Sequence, residues 1–235
     1  MIKIDKLCKK YDKKKVIDNL NCVFLEKGIT VIVGMNGCGK TTLLNIITNL
    51  LEPDSGMIYM NDLKPDMKAY KSQLFYVPSD FFLPEYMTGL EYCHFILSRY
   101  TTGDKDKLQC ILSLLDLNME QTNLIETYSF GMKKKLQIAL AIACDVKYMI
   151  FDEIFSGLDF ETTIFVQEVL NLLSNDKKII IVSHDKDTIE RFPHDIMLMQ
   201  NGTLNSYQGT PNNLYDFIKK EGNFNDKICE FEKHF

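Results

Sequence analysis

Residues 34 to 41 place glycines, a lysine and a threonine at spacings that suit the binding of a polyphosphate. The segment reads Gly34-Met-Asn-Gly-Cys-Gly-Lys40-Thr41, which fits the pattern GxxxxGK[ST]. Glycines let consecutive backbone N–H groups turn toward phosphate oxygens, Lys40 can reach the β- and γ-phosphates, and the Thr41 hydroxyl can ligate Mg²⁺. Since about 7% of residues are glycine, the pattern arises by chance in roughly one chain in a hundred of this length. The pattern predicts nucleotide binding by Asn36, Gly37, Cys38, Gly39, Lys40, Thr41 and Thr42.

Two adjacent carboxylates and a histidine each follow an apolar segment further along the chain. Asp152 and Glu153 come directly after the apolar run 148–151, and His184 comes shortly after the run 179–182. In a protein with a phosphate loop, an acid at the end of a neighbouring strand holds Mg²⁺, and a second acid can activate water. Asp152 is therefore a candidate metal ligand, Glu153 a candidate general base, and His184 a candidate donor to the γ-phosphate. The alternatives are a solvated acidic turn and a histidine without a chemical role.

Cys38 lies inside the phosphate loop, close to Lys40 and to the start of the following helix. A neighbouring cation and a helix N-terminus both favour the thiolate form of cysteine. We therefore expect alkylation of Cys38 to block the activity that depends on the bound nucleotide, and the bound nucleotide to protect the thiol. The alternative is a small residue that fills space and has ordinary reactivity.

The order of apolar segments predicts the elements that position these residues. Ile2 and Ile4 alternate with polar residues as in a half-buried strand, and 16–24 is a second strand candidate. Short apolar runs at 29–33, 148–151 and 179–182 are typical of strands that are buried on both faces. The segment 196–207 predicts a hairpin that turns at Asn201–Gly202.

Helices are predicted between these strands. Apolar residues at helical spacing extend from Leu43 to Leu51, and Pro53 to Gly56 end that helix. The region from about residue 84 to 145 is predicted to be a helical lobe. Strands that alternate with helices indicate an α/β fold with a mainly parallel core sheet, here with an N-terminal antiparallel part. We expect one domain over 1–211, followed by a short tail over 212–235 with a helix and a loosely ordered end.

Composition excludes several classes of protein. The chain has 235 residues, a net charge of −5 and a pI near 5.4, which gives no support for nucleic-acid binding as its main role. No apolar run approaches the roughly 18 residues of a membrane-spanning helix. Seven cysteines without a CxxC pair argue against a disulfide scaffold or a zinc site, so we expect a reducing cytosol.

The set of motifs resembles the ATP-binding cassette (ABC) family of nucleotide-binding domains, over about residues 1–210. Gly34 to Thr42 resembles the Walker A motif, and Tyr128-Ser-Phe-Gly-Met132 resembles the signature loop. Phe151-Asp-Glu153 resembles the Walker B motif with its glutamate. Ser156-Gly-Leu-Asp159 resembles the D-loop, and His184 resembles the switch histidine. The sequence is therefore identified as a P-loop NTPase of this family, and the resemblance implies ATP and Mg²⁺ as ligands.

The resemblance also implies a mechanism. Two cassettes face each other head to tail, and each ATP meets Lys40 and Glu153 of one subunit and Ser129 and Gly131 of the other. Asp159 belongs to the D-loop at the same interface, and Tyr11 lies where an aromatic ring stacks on adenine. Taken alone, Ser129 is also compatible with an ordinary helix N-cap, and Tyr11 with a core aromatic residue.

Three segments depart from the family pattern. The signature reads YSFGM, with Phe130 at the usual second glycine and Met132 at the usual glutamine; similar loosened signatures occur in the branch that pairs with antibiotic, lantibiotic or bacteriocin export and immunity permeases. Ser79-Asp80 stands where the family has the Q-loop glutamine, so Ser79 contacts the metal through water, Asp80 substitutes, or coupling is weaker. Ile154 and Phe155 replace the usual Pro-Thr, and we expect both to pack at the dimer interface.

The resemblance predicts the cytosolic ATPase subunit of an ABC transporter, an exporter of peptide, antibiotic or another hydrophobic compound. Its partners would be integral-membrane permease subunits and a second cassette, as a homodimer or a heterodimer, at the inner face of the cell membrane. The aromatic surface around Ser79 to Glu91 would receive the permease; it carries Phe81, Phe82, Tyr86 and Tyr92. The alternatives are a soluble ABC ATPase that acts on ribosomes or DNA, and a P-loop kinase or GTPase, although a guanine-specific NKxD motif is missing.

Overall fold

The structure is a computed structural model that describes residues 1–80, 82–221 and 230–234. Nine strands form two sheets in the described part of the chain. The strands are β1 Ile2–Tyr11, β2 Lys14–Phe24, β3 Gly28–Val33, β4 Ser55–Met60, β5 Leu74–Val77, β6 Tyr148–Asp152, β7 Lys178–Val182, β8 Ile196–Gln200 and β9 Thr203–Ser206. The helices are α1 Lys40–Ile47, α2 Lys68–Lys71, α3 Gly89–Leu97, α4 Lys105–Leu114, α5 Phe130–Ala143, α6 Phe160–Leu173, α7 Lys186–Arg191 and α8 Pro211–Glu221.

The larger sheet has the order β5-β6-β7-β3-β8-β9, and only its last pair, β8 and β9, is antiparallel. Its central strands β6 and β7 are buried along their whole length, as the apolar runs predict. In the register of the sheet, Asp152 pairs with Val182, and Val182 pairs with Ile32 on the other side. The carboxyl ends of β3, β6 and β7 therefore lie side by side, and the segments that follow them meet at one edge.

The smaller sheet is antiparallel, with β1 between β2 and β4. Inward-facing residues of β1, among them Ile2, Ile4 and Leu7, are buried. Tyr11 is the last residue of β1, and Asp12 follows it with a positive φ of 52° in the turn to β2. The predicted α/β fold with a mainly parallel sheet and an N-terminal antiparallel part is confirmed.

Helices α3, α4 and α5 form the predicted helical region. Thr88 caps α3 through a capping box with Glu91, and Asp104 caps α4. Helix α5 is the most buried of the three, with nine buried residues from Lys134 to Ala143. It begins after Ser129, so its N-terminus carries the residues of the candidate signature loop.

One local prediction needs correction. The first helix ends at Ile47 and not at Leu51, because Asn49 takes a positive φ of 59° and the chain turns; Leu50 is 69% exposed. The tail helix begins at Pro211, and the loosely ordered end predicted after it falls largely outside the described residues. The hairpin prediction is confirmed, since Asn201 and Gly202 both have positive φ, as a tight turn between β8 and β9 requires.

None of the helices in the described ranges combines the length and the apolar character that crossing a membrane requires.

Candidate nucleotide-binding site

The loop between β3 and α1 is built around two glycines with positive φ, 74° at Gly37 and 110° at Gly39. Lys40 is 9% exposed, and its Nζ donates to the carbonyl oxygens of Gly34 at 2.7 Å and Met35 at 3.1 Å. The ammonium group is thus held against the loop, while the first N–H groups of α1 point toward the same space. A fixed cation beside a helix N-terminus is an arrangement that binds phosphate.

Most of the predicted site residues line one cavity of about 480 Å³ beside this loop. The predicted residues in its wall are Tyr11, Asn36, Gly37, Gly39, Lys40, Thr41, Thr42, Ser79, Asp152, Glu153 and His184. Lys14 and Val16 also line the cavity, and the sequence analysis missed both. They lie on β2 just after Tyr11, so the turn after β1 could have indicated them.

The Thr41 hydroxyl donates to Asp152 Oδ2 at 2.7 Å. Asp152 is 2% exposed at the end of β6, and burial raises the pKa of its carboxyl group, against the opposing effect of the Thr41 hydrogen bond and of Lys40. A carboxylate and a hydroxyl oxygen side by side are hard oxygen donors, which Mg²⁺ prefers alongside water and phosphate oxygens. The pair therefore fits the predicted magnesium ligands.

Glu153 follows with a positive φ of 52°, an uncommon conformation for a residue with a side chain. Its N–H donates to Val182 O at 3.0 Å, and its Oε1 lies 2.7 Å from His184 Nδ1. Because a carboxylate can only accept, Nδ1 carries the proton of this hydrogen bond. His184 Nε2 can then donate to a phosphate only when the ring is an imidazolium.

The signature-loop residues lie outside this cavity. Ser129 is exposed and caps α5, because its Oγ accepts a hydrogen bond from the Met132 N–H at 3.2 Å. Gly131 lies against the D-loop, where a Cβ would come within 2.8 Å of Gly157 O. Phe130 packs over Gly157 and remains 49% exposed. The structure thus joins the signature loop and the D-loop of the same chain.

Asp159 caps α6 rather than lining the cavity. Its carboxylate accepts from the Thr162 N–H at 2.8 Å and lies 3.1 Å from Lys135 Nζ. The hydrogen bonds from Thr162, together with Lys135, hold the pKa of this carboxyl well below its usual range. Asp159 is therefore ionised and has its donors within its own chain.

The residues at the Q-loop position and after Glu153, which depart from the family pattern, differ in their exposure. Ser79 lines the cavity, whereas Asp80 is exposed and acts on Asp152 only through its charge. Ile154 is fully buried, so the expectation that it packs at a dimer surface is wrong; the core takes its side chain instead. Phe155 is half-buried beside Ser156.

Cys38 and the aromatic surface complete the comparison with the predictions. Cys38 is half-buried and lines a neighbouring cavity of about 310 Å³ behind the loop, between Met199 and α8.

Phe82 and Tyr86 are exposed, at 100% and 82%, but Tyr92 is buried in the helical core and cannot receive a partner. Phe81 lies outside the described residues.

Comparison with known proteins gives consistent results. The sequence model described as "ABC transporter" matches residues 17–156. An uncharacterized ABC transporter ATP-binding protein of Methanocaldococcus jannaschii is 30% identical, over 99% of this chain and 86% of the relative. The human retinal-specific phospholipid-transporting ATPase ABCA4 is 29% identical, over 84% of this chain and 9% of the relative. The chain spans about a tenth to a quarter of the length of the A-family relatives it matches.

A solved structure has the same fold. The cassette MJ0796, described as a dimer in a post-hydrolysis state bound to ADP and Pi, aligns with a TM-score of 0.78 and 22% identity, over 89% of this chain and 100% of that chain.

Proposed function

The chain belongs to the ABC transporter family, and we propose that it is the ATP-hydrolysing part of a transporter and works with a membrane-spanning permease. As a member of this family it is an ATPase that uses ATP with Mg²⁺. The observation that carries the proposal is that the Lys40 loop, the Thr41–Asp152 pair and the Glu153–His184 pair all face one cavity.

The roles we propose for the residues are supported by their places in the cavity. The backbone N–H groups of the glycine loop and Lys40 bind the phosphates, and Tyr11 stacks on adenine. Glu153 accepts a proton from the water that attacks the γ-phosphorus, while ADP leaves with the electron pair of the broken P–O bond. Thr41 and Asp152, with Ser79 through water, would hold Mg²⁺, which would supply positive charge beside the β- and γ-phosphates. His184, which lines the same cavity, would donate a hydrogen bond to the γ-phosphate.

The working unit we propose is a head-to-tail pair of cassettes, either a homodimer or a heterodimer with a related chain. Ser129 and Gly131 stand at the N-terminus of α5, where free backbone donors and the positive end of the helix dipole can contact the γ-phosphate bound by the other cassette. Binding of ATP then closes the pair, and hydrolysis opens it.

The permease would dock beside Ser79, on the exposed rings of Phe82 and Tyr86. Ser79 lines the cavity and Phe82 follows it three residues later in the chain, so movement of the residues at 79–80 would be transmitted between the cavity and the docked permease. The subunit would therefore sit at the cytoplasmic face of the membrane, bound to its permease. Transport of a hydrophobic or amphipathic compound, as in an exporter, is supported by the description of the human relative as phospholipid-transporting.

One experiment tests the catalytic assignment. In the purified chain, Glu153→Gln should retain binding of ATP with Mg²⁺, lose turnover, and accumulate an ATP-bound dimer that size-exclusion chromatography detects. Glu52→Gln, at an exposed carboxylate away from the cavity, is the matched control and should hydrolyse normally. Normal turnover by Glu153→Gln would remove the role given to that residue.

A second experiment tests the permease. Phe82→Glu and Tyr86→Glu should keep ATPase activity in the isolated chain but release it from the membrane fraction of its source cells. Leu172→Glu, at a 69% exposed leucine on α6, controls for the introduced charge. Membrane association that survives both aromatic substitutions would contradict docking at this surface.

A further inference from the structure

A lysine of α5 is buried against the catalytic region, although nothing in the assigned roles uses it. Lys134 is fully buried, and its Nζ donates to the backbone carbonyl oxygen of Glu153 at 2.9 Å. Burial lowers the pKa of Lys134 to about 8, while the charges of Asp152, Glu153 and Asp80 act in the opposite direction. A buried ammonium group costs free energy unless it donates hydrogen bonds to nearby acceptors. The acceptors around Lys134 therefore determine where its Nζ lies.

The carbonyl oxygen that accepts from Lys134 belongs to Glu153, the residue whose geometry matters most for hydrolysis. Glu153 has a left-handed backbone, which is strained for a residue with a side chain and must be held by its surroundings. Its N–H is bonded to Val182 O, its carboxylate to His184, and its carbonyl oxygen to Lys134. Three hydrogen bonds, two to the end of β7 and the residues just after it and one to α5, therefore fix one residue.

Helix α5 touches the segment 153–159 at two further points. Gly131 contacts Gly157 so closely that no Cβ fits, and Lys135 Nζ lies 3.1 Å from Asp159 Oδ2. Together with the Lys134 hydrogen bond, these contacts join the first two turns of α5 to the segment that follows β6. The two pieces of chain should therefore move as one body.

We propose that Lys134 is a positioning residue that holds the backbone of Glu153, and so ties the helix carrying Ser129 and Gly131 to the hydrolysis site of the same chain. This inference rests on the proposed function, in which Glu153 is the base and the N-terminus of α5 meets the nucleotide of a second cassette. A shift of α5 on meeting that nucleotide then moves the Glu153 carboxylate of its own site. The lysine acts through Glu153 and does not touch the substrate.

The test substitutes Lys134→Met, which keeps the length of the apolar stem and removes the donor. We expect kcat to fall about 10- to 100-fold, the effect typical of outer-shell partners, with the affinity for ATP changed less than about twofold. Lys134→Arg, which retains a buried cationic donor, should recover most of the lost turnover. Should Lys134→Met not fold, Lys134→Leu removes the donor with a shorter apolar side chain and should show the same loss of kcat.

A matched control separates positioning from folding. Lys178 is also buried, at 1% exposure, but lies at the opposite end of β7 from His184, with its Nζ 3.4 Å from Asp195 Oδ2. Lys178→Met should lower Tm, as Lys134→Met also should, but leave kcat per folded molecule unchanged. A fall in kcat that is equal in the two variants would overturn the inference.

A double substitution distinguishes failure of this inference from failure of the proposed function. In a Glu153→Gln background, Lys134→Met should not lower the residual hydrolysis further, because its effect passes through the carboxylate. A full additional loss there, or an unchanged kcat in Lys134→Met alone, would overturn the positioning role while leaving Glu153 as the base. Normal turnover by Glu153→Gln would instead refute the proposed function.

Discussion

Gly39→Ala is the sharpest test of the phosphate loop, because a second glycine of the same loop provides a matched control. Gly39 has φ 110° and ψ 10°, and a Cβ there would lie 2.7 Å from Val16 Cγ1 and 3.0 Å from Val16 O. Gly37 also has positive φ, at 74°, but a Cβ there meets nothing within 4 Å. The two substitutions therefore share backbone strain, and only Gly39→Ala adds a steric overlap.

The expected costs follow from that difference. A left-handed alanine costs about 1–2 kcal/mol, which is all that Gly37→Ala should lose. Overpacking against Val16 adds about 1–3 kcal/mol, so Gly39→Ala should lose about 2–5 kcal/mol. At about 2–4 °C per kcal/mol for a chain of this size, the expected fall in Tm is about 2–8 °C for Gly37→Ala and about 4–20 °C for Gly39→Ala.

Thermal unfolding of both variants without nucleotide gives the comparison, and a repeat with ATP and Mg²⁺ shows whether the loop has relaxed. If the loop at Gly39→Ala relieves the overlap by turning its N–H groups away, the cost appears as a loss of the Tm increase that ATP gives the wild type. A Gly39→Ala protein that keeps both the wild-type Tm and the wild-type response to ATP would refute the reasoning. So would equal destabilisation by the two substitutions.

Three further predictions concern other parts of the molecule. Alkylation of Cys38 should block ATPase activity and ATP should protect it, whereas Cys38→Ser should be insensitive to the reagent; an unchanged rate after proven modification of Cys38 contradicts this. Tyr11→Ala should weaken ATP binding by about 1–3 kcal/mol, the usual worth of base–aromatic stacking, with Tyr11→Phe near wild type in equilibrium titration; equal affinities for Ala and Phe would rule out stacking. Lys177 Nζ lies 2.6 Å from Asp145 Oδ1 and holds the pKa of that carboxyl below its usual value, so its stabilisation is present above about pH 4 and is lost as the pH falls through the lowered pKa. Asp145→Asn should therefore lower Tm at pH 7, and this difference in Tm should shrink as the pH falls below about 4 and disappear below the lowered pKa. A constant difference in Tm at every pH would show that the ion pair is irrelevant.

The sequence predicts those parts of the site that local patterns determine. Asp152, Glu153 and His184 follow buried apolar strands, and parallel strands bring their carboxyl ends to one edge, so their meeting could be expected. The glycine loop carries its own spacing and needs no tertiary information. The short apolar runs also predict the central strands β6 and β7 of the larger sheet, which the structure contains.

Other features depend on contacts between distant segments. Lys134 follows Lys133 and precedes Lys135 in an exposed-looking run of charge, yet it is fully buried because α5 packs beneath residues 153–159. Ile154 was expected at a dimer surface, but the turn after Glu153 directs its side chain into the core. Leu50 fits a helical pattern, but the helix has already ended three residues earlier. In each case the tertiary environment overrides the local pattern.

The three consecutive lysines of α5 reach three different parts of the chain. Lys133 pairs with Glu85, in the loop before α3, while Lys134 and Lys135 contact Glu153 and Asp159. Neighbouring helical residues are rotated by about 100° about the axis, so each ammonium group meets its acceptor only at one angular setting of the helix. Insertion or deletion of one residue upstream within α5 would turn all three onto wrong neighbours at once. The three lysines together therefore fix the rotation of α5 about its axis. That rotation sets the positions of Ser129 and Gly131 at the start of the helix and of the Glu153 backbone beside it.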